Sequence, residues 1–99
     1  MELINRHIKE LNELCKTYHV GELYAFGSVV TNDFGKDSDI DFLVRFENIE
    51  LMDYLDNYIQ FKESLKSLFN KKIDLVEQQA IENPVFQKNI DRSKRKLYG

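Results

Sequence analysis

Residues 24–44, "YAFGSVVTNDFGKDSDIDFLV", place a Gly-Ser pair at the end of one apolar run and an Asp-Ile-Asp triplet inside another. Side chains alternate between the two faces of a β-strand, so Asp39 and Asp41 are expected on one face and Ile40 and Phe42 on the other. Two carboxylates so close together repel each other unless a positive group lies between them. The triplet therefore predicts either the solvent-facing side of a half-buried strand or a site for a divalent cation.

The composition predicts one small soluble domain over residues 1–99. The chain has 99 residues and a formal net charge of -3, which gives no general basis for nucleic-acid binding. Its one cysteine, Cys15, excludes an internal disulfide and indicates a reducing compartment. The N-terminal stretch "MELINRHIKELNELC" has no apolar run long enough for a signal peptide or a membrane span. We therefore expect a cytoplasmic protein that makes no membrane contact.

Apolar periodicity predicts the element order α-β-β-α-β-α. The predicted segments are a helix over 3–18 closed by a turn at Gly21, a strand over 22–26, a turn or short helix over 29–38, a strand over 39–46, a helix over 51–69, a strand over 71–77, and a helix that starts at Asn83 and Pro84 and ends in a basic tail. The fold class that follows is a small α/β (α+β) domain, in which helices flank a short mixed sheet of three to four strands.

A third carboxylate belongs to the same pattern. Asp74 lies between Ile73 and Leu75 in the stretch "KKIDLVE", so it is expected on the polar face of the third strand. If that strand neighbours the one with Asp39 and Asp41, the three carboxylates converge. Mg²⁺ is typically held by one or two carboxylates together with substrate phosphates. A lone Asp in an apolar strand is weak evidence of a metal site by itself, but the Gly-Ser turn that precedes the carboxylate pair strengthens that evidence.

The Gly-Ser pair can serve as a phosphate site. Gly27 lets the backbone approach a ligand closely, and Ser28 carries a hydroxyl that can donate to a phosphate oxygen. A helix that starts at Ser28 would add free N–H groups and the positive end of its dipole. The alternative is an ordinary tight turn with Ser28 as a helix cap. A phosphate cradle followed by a carboxylate pair on the next strand is far more specific than either motif alone.

The combination "FGS", ten residues, then "DIDFLV" resembles the signature of the DNA polymerase β-like nucleotidyltransferase superfamily, and the short chain resembles its minimal nucleotidyltransferase (MNT) branch. The resemblance implies that Gly27 and Ser28 hold the β- and γ-phosphates of ATP. It also implies that Asp39 and Asp41 bind Mg²⁺, with two ions expected. Asp74 would then help to hold the catalytic metal or activate the acceptor hydroxyl.

One position departs from the pattern of the superfamily. Many relatives have an arginine directly after Gly-Ser, whereas Val29 follows here. This removes a cation that could neutralise the triphosphate. Lys36 in the same loop, or Lys71 or Lys72 on the third strand, could replace that charge.

The resemblance also implies a partner. MNT proteins are often paired with a small helical HEPN protein from a neighbouring gene as a toxin–antitoxin module. In some pairs the MNT protein adds AMP to a tyrosine of the HEPN toxin and silences its RNase activity. We therefore expect an antitoxin of this kind that uses ATP.

Two alternatives remain at the level of sequence. The chain could be a binding module that neutralises its partner by contact alone, with Tyr54 or Tyr58 exposed on the second long helix. It could also be a nucleotidyltransferase that acts on a small molecule or on RNA ends, although such enzymes usually carry further domains. The apolar periodicity that predicts this helix includes Leu51, Leu55 and Ile59.

Overall fold

The computed structural model describes the whole chain, residues 1–99. The helices are α1 (Glu2–Arg6), α2 (Ile8–Thr17), α3 (Leu51–Phe69) and α4 (Pro84–Ser93). The strands are β1 (Val20–Phe26), β2 (Ile40–Phe46), β3 (Ile73–Glu77) and β4 (Arg95–Tyr98). Two short 3-10 turns, Gly27–Val30 and Gln78–Ala80, follow β1 and β3. None of the helices combines the length and the apolar character that crossing a membrane requires.

The strands form one mixed sheet in the order β3-β2-β1-β4. Strand β1 is antiparallel to both β2 and β4, whereas β2 and β3 are parallel. Parallel neighbours need a long crossover connection, which here is the 19-residue helix α3. The predicted small mixed sheet flanked by helices is confirmed.

Each face of the sheet has its own apolar layer. On one face, Phe42 and Val44 of β2 are buried in a large cluster with Phe61 of α3 and Leu11 of α2. On the other face α4 covers a smaller cluster, which consists of Phe26, Leu43 and Ile90. Since alternate residues of β2 face opposite layers, its odd-numbered positions lie on the same face as α4. Asp41 is one of those positions.

Helix α4 begins where the sequence predicts. The side chain of Asn83 accepts hydrogen bonds from the backbone N–H groups of Val85, at 2.9 Å, and Phe86, at 3.4 Å. Pro84 occupies the first turn, where its missing N–H costs nothing. Asn83 therefore caps the helix, as its position before an apolar run indicated.

Three local predictions need correction. The first helix is interrupted at His7, whose amide bonds to the carbonyl of Ile4, three residues back. The turn after α2 is made at His19, which has a φ of 61°, and Gly21 lies inside β1 instead. The basic tail after α4 is a strand, because residues 95–98 pair with β1 at the edge of the sheet.

Helix α3 has the predicted length, but part of its apolar surface does not face the sheet. Leu51, Leu55 and Ile59 are exposed to solvent, together with Met52. The two tyrosines considered for a binding surface are instead half-buried and hydrogen bonded. The Tyr54 hydroxyl donates to the carboxylate of Glu77, and the Tyr58 hydroxyl donates to the carbonyl of Leu75.

Candidate functional site

Strand β2 presents the Asp-Ile-Asp triplet at its beginning. Ile40 and Phe42 are buried under α2 and α3, which turns Asp41 to the opposite face. Asp41 is half-buried, whereas Asp39 precedes the first residue of the strand and is exposed. Ile40 and Phe42 thus fix the direction of Asp41, as the alternation predicted, whereas Asp39 lies just outside the strand.

The third carboxylate lies beside the second. Parallel pairing of β2 with β3 makes Asp41 and Asp74 register partners, and neighbouring strands are about 4.8 Å apart. Ile73 and Leu75 are buried on the core face, so the exposed Asp74 side chain lies on the same face as Asp41. The structure therefore brings these two residues together, which the sequence could state only as a condition.

The carboxylates interact electrostatically. Partial burial, together with the negative charges of Asp74 and then Asp39, raises the pKa of Asp41 to about 6. A carboxylate in this environment gains from a positive ligand, because the ligand offsets both the lost hydration and the repulsion. The group is thus suited to bind a cation.

The Gly-Ser turn closes over the same carboxylate. Phe26, the last residue of β1, is the register partner of Asp41, and Gly27 follows it with a φ of 73°. A Cβ atom on Gly27 would overlap the Oδ2 atom of Asp41. Glycine is therefore required here for two reasons, the left-handed backbone and the close approach of the carboxylate.

Ser28 lies in a 3-10 turn and not at the start of a longer helix. The turn spans Gly27–Val30 and ends where the N–H and hydroxyl of Thr31 both donate to the carbonyl of Ser28. Val29 within it is fully buried in the main core. The position that holds arginine in many relatives therefore points into the protein here.

The lysines proposed to replace that arginine differ in their surroundings. Lys36 is exposed on the loop between β1 and β2, and Lys72 is exposed directly before β3. Lys71 is engaged with that loop, since its ammonium donates to the carbonyls of Lys36, at 2.7 Å, and Gly35, at 3.3 Å. The same ammonium lies 4.9 Å from the ring centroid of Phe34. This anchoring contact gives no signal in the sequence.

The donor atoms of the site fit a magnesium ion. No three His, Cys, Asp or Glu side chains are grouped closely enough to hold a metal ion, so the structure pairs Asp41 with Asp74 but does not gather all three carboxylates at one point as expected. Mg²⁺ does not require such a group, because it keeps several waters and uses one or two carboxylates with phosphate oxygens. Asp41, Asp74 and Asp39 supply only oxygen donors, and the absence of a side chain at Gly27 makes room for the Asp41 carboxylate.

Comparison with known proteins identifies the family. Residues 4–98 match the nucleotidyltransferase domain family. The MJ0128 protein of Methanocaldococcus jannaschii is 37% identical over 90 residues, which cover 91% of this chain and 86% of that protein. The protein adenylyltransferase MntA of Thermococcus cleftensis is 34% identical over 83 residues, which cover 84% of this chain and 78% of that protein.

Solved structures share the fold. A minimal nucleotidyltransferase superimposes with a TM-score of 0.78 at 24% identity, covering 95% of this chain and 92% of that one. A chain from the complex of tri-AMPylated Shewanella oneidensis HEPN toxin with MNT antitoxin gives a TM-score of 0.66 at 17% identity, covering 96% and 71%. The chain thus has the minimal nucleotidyltransferase fold, and from its sequence it belongs to the nucleotidyltransferase domain family.

Proposed function

We propose that this chain is an antitoxin that uses Mg²⁺ and ATP to transfer AMP to a tyrosine of a HEPN-type toxin from a neighbouring gene. The observation that carries the proposal is the pairing of Asp41 with Asp74 beside Gly27. Family membership and the relative named protein adenylyltransferase MntA support the transfer of AMP. The fold shared with a complex whose HEPN toxin is AMPylated supports the acceptor.

The carboxylates have distinct roles in the proposed site. Asp39 and Asp41 would hold Mg²⁺, and Asp74 on the neighbouring strand would help to hold it through one carboxylate oxygen, which leaves the other oxygen for the proton of the acceptor hydroxyl. Bound Mg²⁺, as two ions in the proposed complex, supplies positive charge that stabilises both the attacking and the leaving oxygens of the displacement. The raised pKa of Asp41 is consistent with a position that needs such a charge.

The turn after β1 positions the nucleotide in this proposal. The missing side chain at Gly27 lets the triphosphate approach the carboxylates. Ser28 donates its hydroxyl to the β- or γ-phosphate, and the exposed Lys36 adds positive charge from the adjoining loop. These groups act by orientation and electrostatics, which is where nucleotidyl transfer gains most of its rate.

The transfer itself is an in-line displacement. The tyrosine oxygen of the acceptor forms a bond to the α-phosphorus of ATP, while the bond from that phosphorus to the oxygen bridging to the β-phosphate breaks. Pyrophosphate leaves with that oxygen, and AMP stays on the tyrosine. We assign the phenolic proton to the carboxylate of Asp74, which is exposed at the edge of the sheet.

The test is an intact-mass spectrum of the HEPN-type protein from the neighbouring gene after co-expression with this chain. The expected result is added mass in steps of one AMP. An Asp39→Asn, Asp41→Asn variant should leave the partner unmodified. The matched control is Asp33→Asn, Asp37→Asn, which removes two exposed carboxylates from the preceding loop and should leave the modification intact.

Each outcome has a defined meaning. A partner that stays unmodified but still co-purifies with the chain would replace the proposal by a contact antitoxin. A partner that neither binds nor gains mass would remove the HEPN protein as acceptor. AMP found on a small molecule or on RNA instead would keep the chemistry and change the substrate.

A further inference from the structure

An exposed apolar surface runs along the first half of α3. We call it the α3 stripe, and its members with their exposed fractions are Leu51 (88%), Met52 (94%), Leu55 (66%) and Ile59 (48%). Leu51, Leu55 and Ile59 are four residues apart and so lie one above the other on the helix. Single exposed apolar residues are ordinary, but four large ones on one helix face indicate an interaction site.

The stripe continues into a basic surface. Lys62 and Lys66 follow Ile59 at spacings of three and four residues, so they extend the same face towards the end of α3. Together with Ile59, Lys72 and Ile73 they line a shallow cavity of about 330 Å³, in which Glu63 is the one acidic residue. The four ion pairs of the chain involve none of these lysines. Their charge is therefore free for another molecule.

The basic end of the stripe meets the strand that carries a candidate catalytic residue. Ile59 and Ile73 line the same cavity, and Asp74 is the next residue after Ile73. Strand β3 is at the edge of the sheet, with no neighbouring strand on its outer side. The Asp74 side chain lies on the opposite face of the sheet from α3, so a protein bound along the stripe borders the free edge of β3, around which that side chain is reached.

We propose that the α3 stripe and its basic end bind the protein acceptor through a contact surface that is apolar at one end and acidic at the other. This inference rests on the function proposed above and names the docking surface for its acceptor. Charge complementarity selects the acidic partner, because the free lysines of α3 lie beside the apolar residues in a chain with a net charge of -3. From this surface the acceptor tyrosine would reach the carboxylates around the free edge of β3.

A second copy of this chain fits the surface less well. An antiparallel pair of stripes centred on Leu55 would set Leu51 of one copy against Ile59 of the other, but α3 of the second copy would then have no residue opposite Lys62 or Lys66. A parallel pair would set lysine against lysine at the basic end. Both arrangements leave the lysines of the basic end without an acidic partner, so a second copy does not complement the whole surface.

The test measures the affinity of the purified chain for the HEPN-type partner by calorimetry. Leu55→Glu, Ile59→Glu keeps good helix formers on an exposed face and should weaken binding by about tenfold or more. Lys62→Glu, Lys66→Glu should weaken it in the same direction. Val85→Glu is the control, because Val85 is exposed on α4, on the opposite face of the sheet, and this variant should bind as the unaltered chain does.

The readouts separate this inference from the proposed function. Affinity for Mg-ATP should be unchanged in all three variants, which shows that the site is intact. Equal partner affinity for the stripe variants and the unaltered chain would overturn the docking surface while leaving the AMP transfer standing. Failure of the unaltered chain to bind the partner would overturn both. A dimer of the chain alone, lost in Leu55→Glu, Ile59→Glu, would assign the stripe to a second copy.

Discussion

The Cα atom of Gly27 lies so close to Asp41 that a methyl group there would overlap the Oδ2 atom of the carboxylate. Phe26 and Asp41 are register partners, so the turn that leaves β1 bends directly over the second strand of the site. The Gly-Ser turn and the carboxylate triplet are eleven residues apart in sequence and in contact in the fold. Antiparallel pairing of β1 with β2 produces that contact.

Replacing Gly27 by alanine should disable the site. An L-residue at a φ of 73° costs about 1–2 kcal/mol, and the new methyl group would push the Asp41 carboxylate aside. We expect that loss in the free energy of unfolding, measured with urea, and loss of AMP transfer in the partner-modification assay. Gly35→Ala is the control, since the nearest atom to its added Cβ is 3.9 Å away. Full transfer by Gly27→Ala would contradict the contact.

The raised pKa of Asp41 predicts how stability depends on pH. In the unfolded chain this group loses its proton near its ordinary pKa of 3.8, but in the folded chain near 6. The folded state thus binds more protons in that window, so the free energy of unfolding falls as pH rises from about 4 to 6. Asp41→Asn should abolish the fall and be more stable than the unaltered chain at pH 7.

Urea titrations in the presence of a chelator, at several pH values, measure this difference. The control is Asp33→Asn, an exposed loop carboxylate that should follow the unaltered chain. Parallel stability curves for Asp41→Asn and the unaltered chain between pH 4 and 7 would show that Asp41 is not destabilised in the fold.

The carboxylate pair was predictable because strand alternation is a local rule. Ile40 and Phe42 fix the direction of Asp41 from the sequence alone. The contact of Asp41 with Asp74 was not predictable in the same way, because it depends on which strands are neighbours in the sheet. That order is set by the α3 crossover, and no local pattern reports it.

Strand β4 was missed because its residues are charged and the segment is short. Its pairing with β1 comes from the sheet edge, where Lys96 reaches Glu22 at 3.5 Å and Lys94 lies over the ring of Tyr24. Tertiary contacts thus decide a conformation that local propensity does not favour.

By contrast, the exposed α3 stripe did leave a signal in the sequence. Adjacent apolar pairs such as Tyr54-Leu55 cover a wider arc than one buried face needs.

Burial should protect the single cysteine from alkylation. Cys15 is fully buried in the main core, and burial raises the pKa of its thiol to about 12. Because the thiolate is the reactive form, the folded chain should not react with iodoacetamide at pH 8 on the timescale of minutes. The same chain in urea is the control and should react completely. Rapid labelling of the folded chain, followed by intact mass, would show that α2 opens readily.

Lys71 should act as a positioning residue for the loop that leads to Asp39. Its ammonium holds the carbonyls of Gly35 and Lys36, so Lys71→Met should free the loop and slow AMP transfer by roughly ten- to a hundredfold. Hydrogen exchange of the amides of residues 33–39 should become faster. Lys71→Arg keeps donors on the carbonyls and should recover part of the rate.

Lys16→Met is the control, since Lys16 is exposed on α2, outside the loop and the α3 stripe, and should leave both the rate and the exchange unchanged. A different role for Lys71 has a different signature. If its ammonium left the loop to bind the triphosphate, Lys71→Met would raise the KM for ATP and leave loop exchange as it was. Faster loop exchange with a lower kcat and a nearly constant KM would instead establish the anchor, because only the geometry of the carboxylates would have changed.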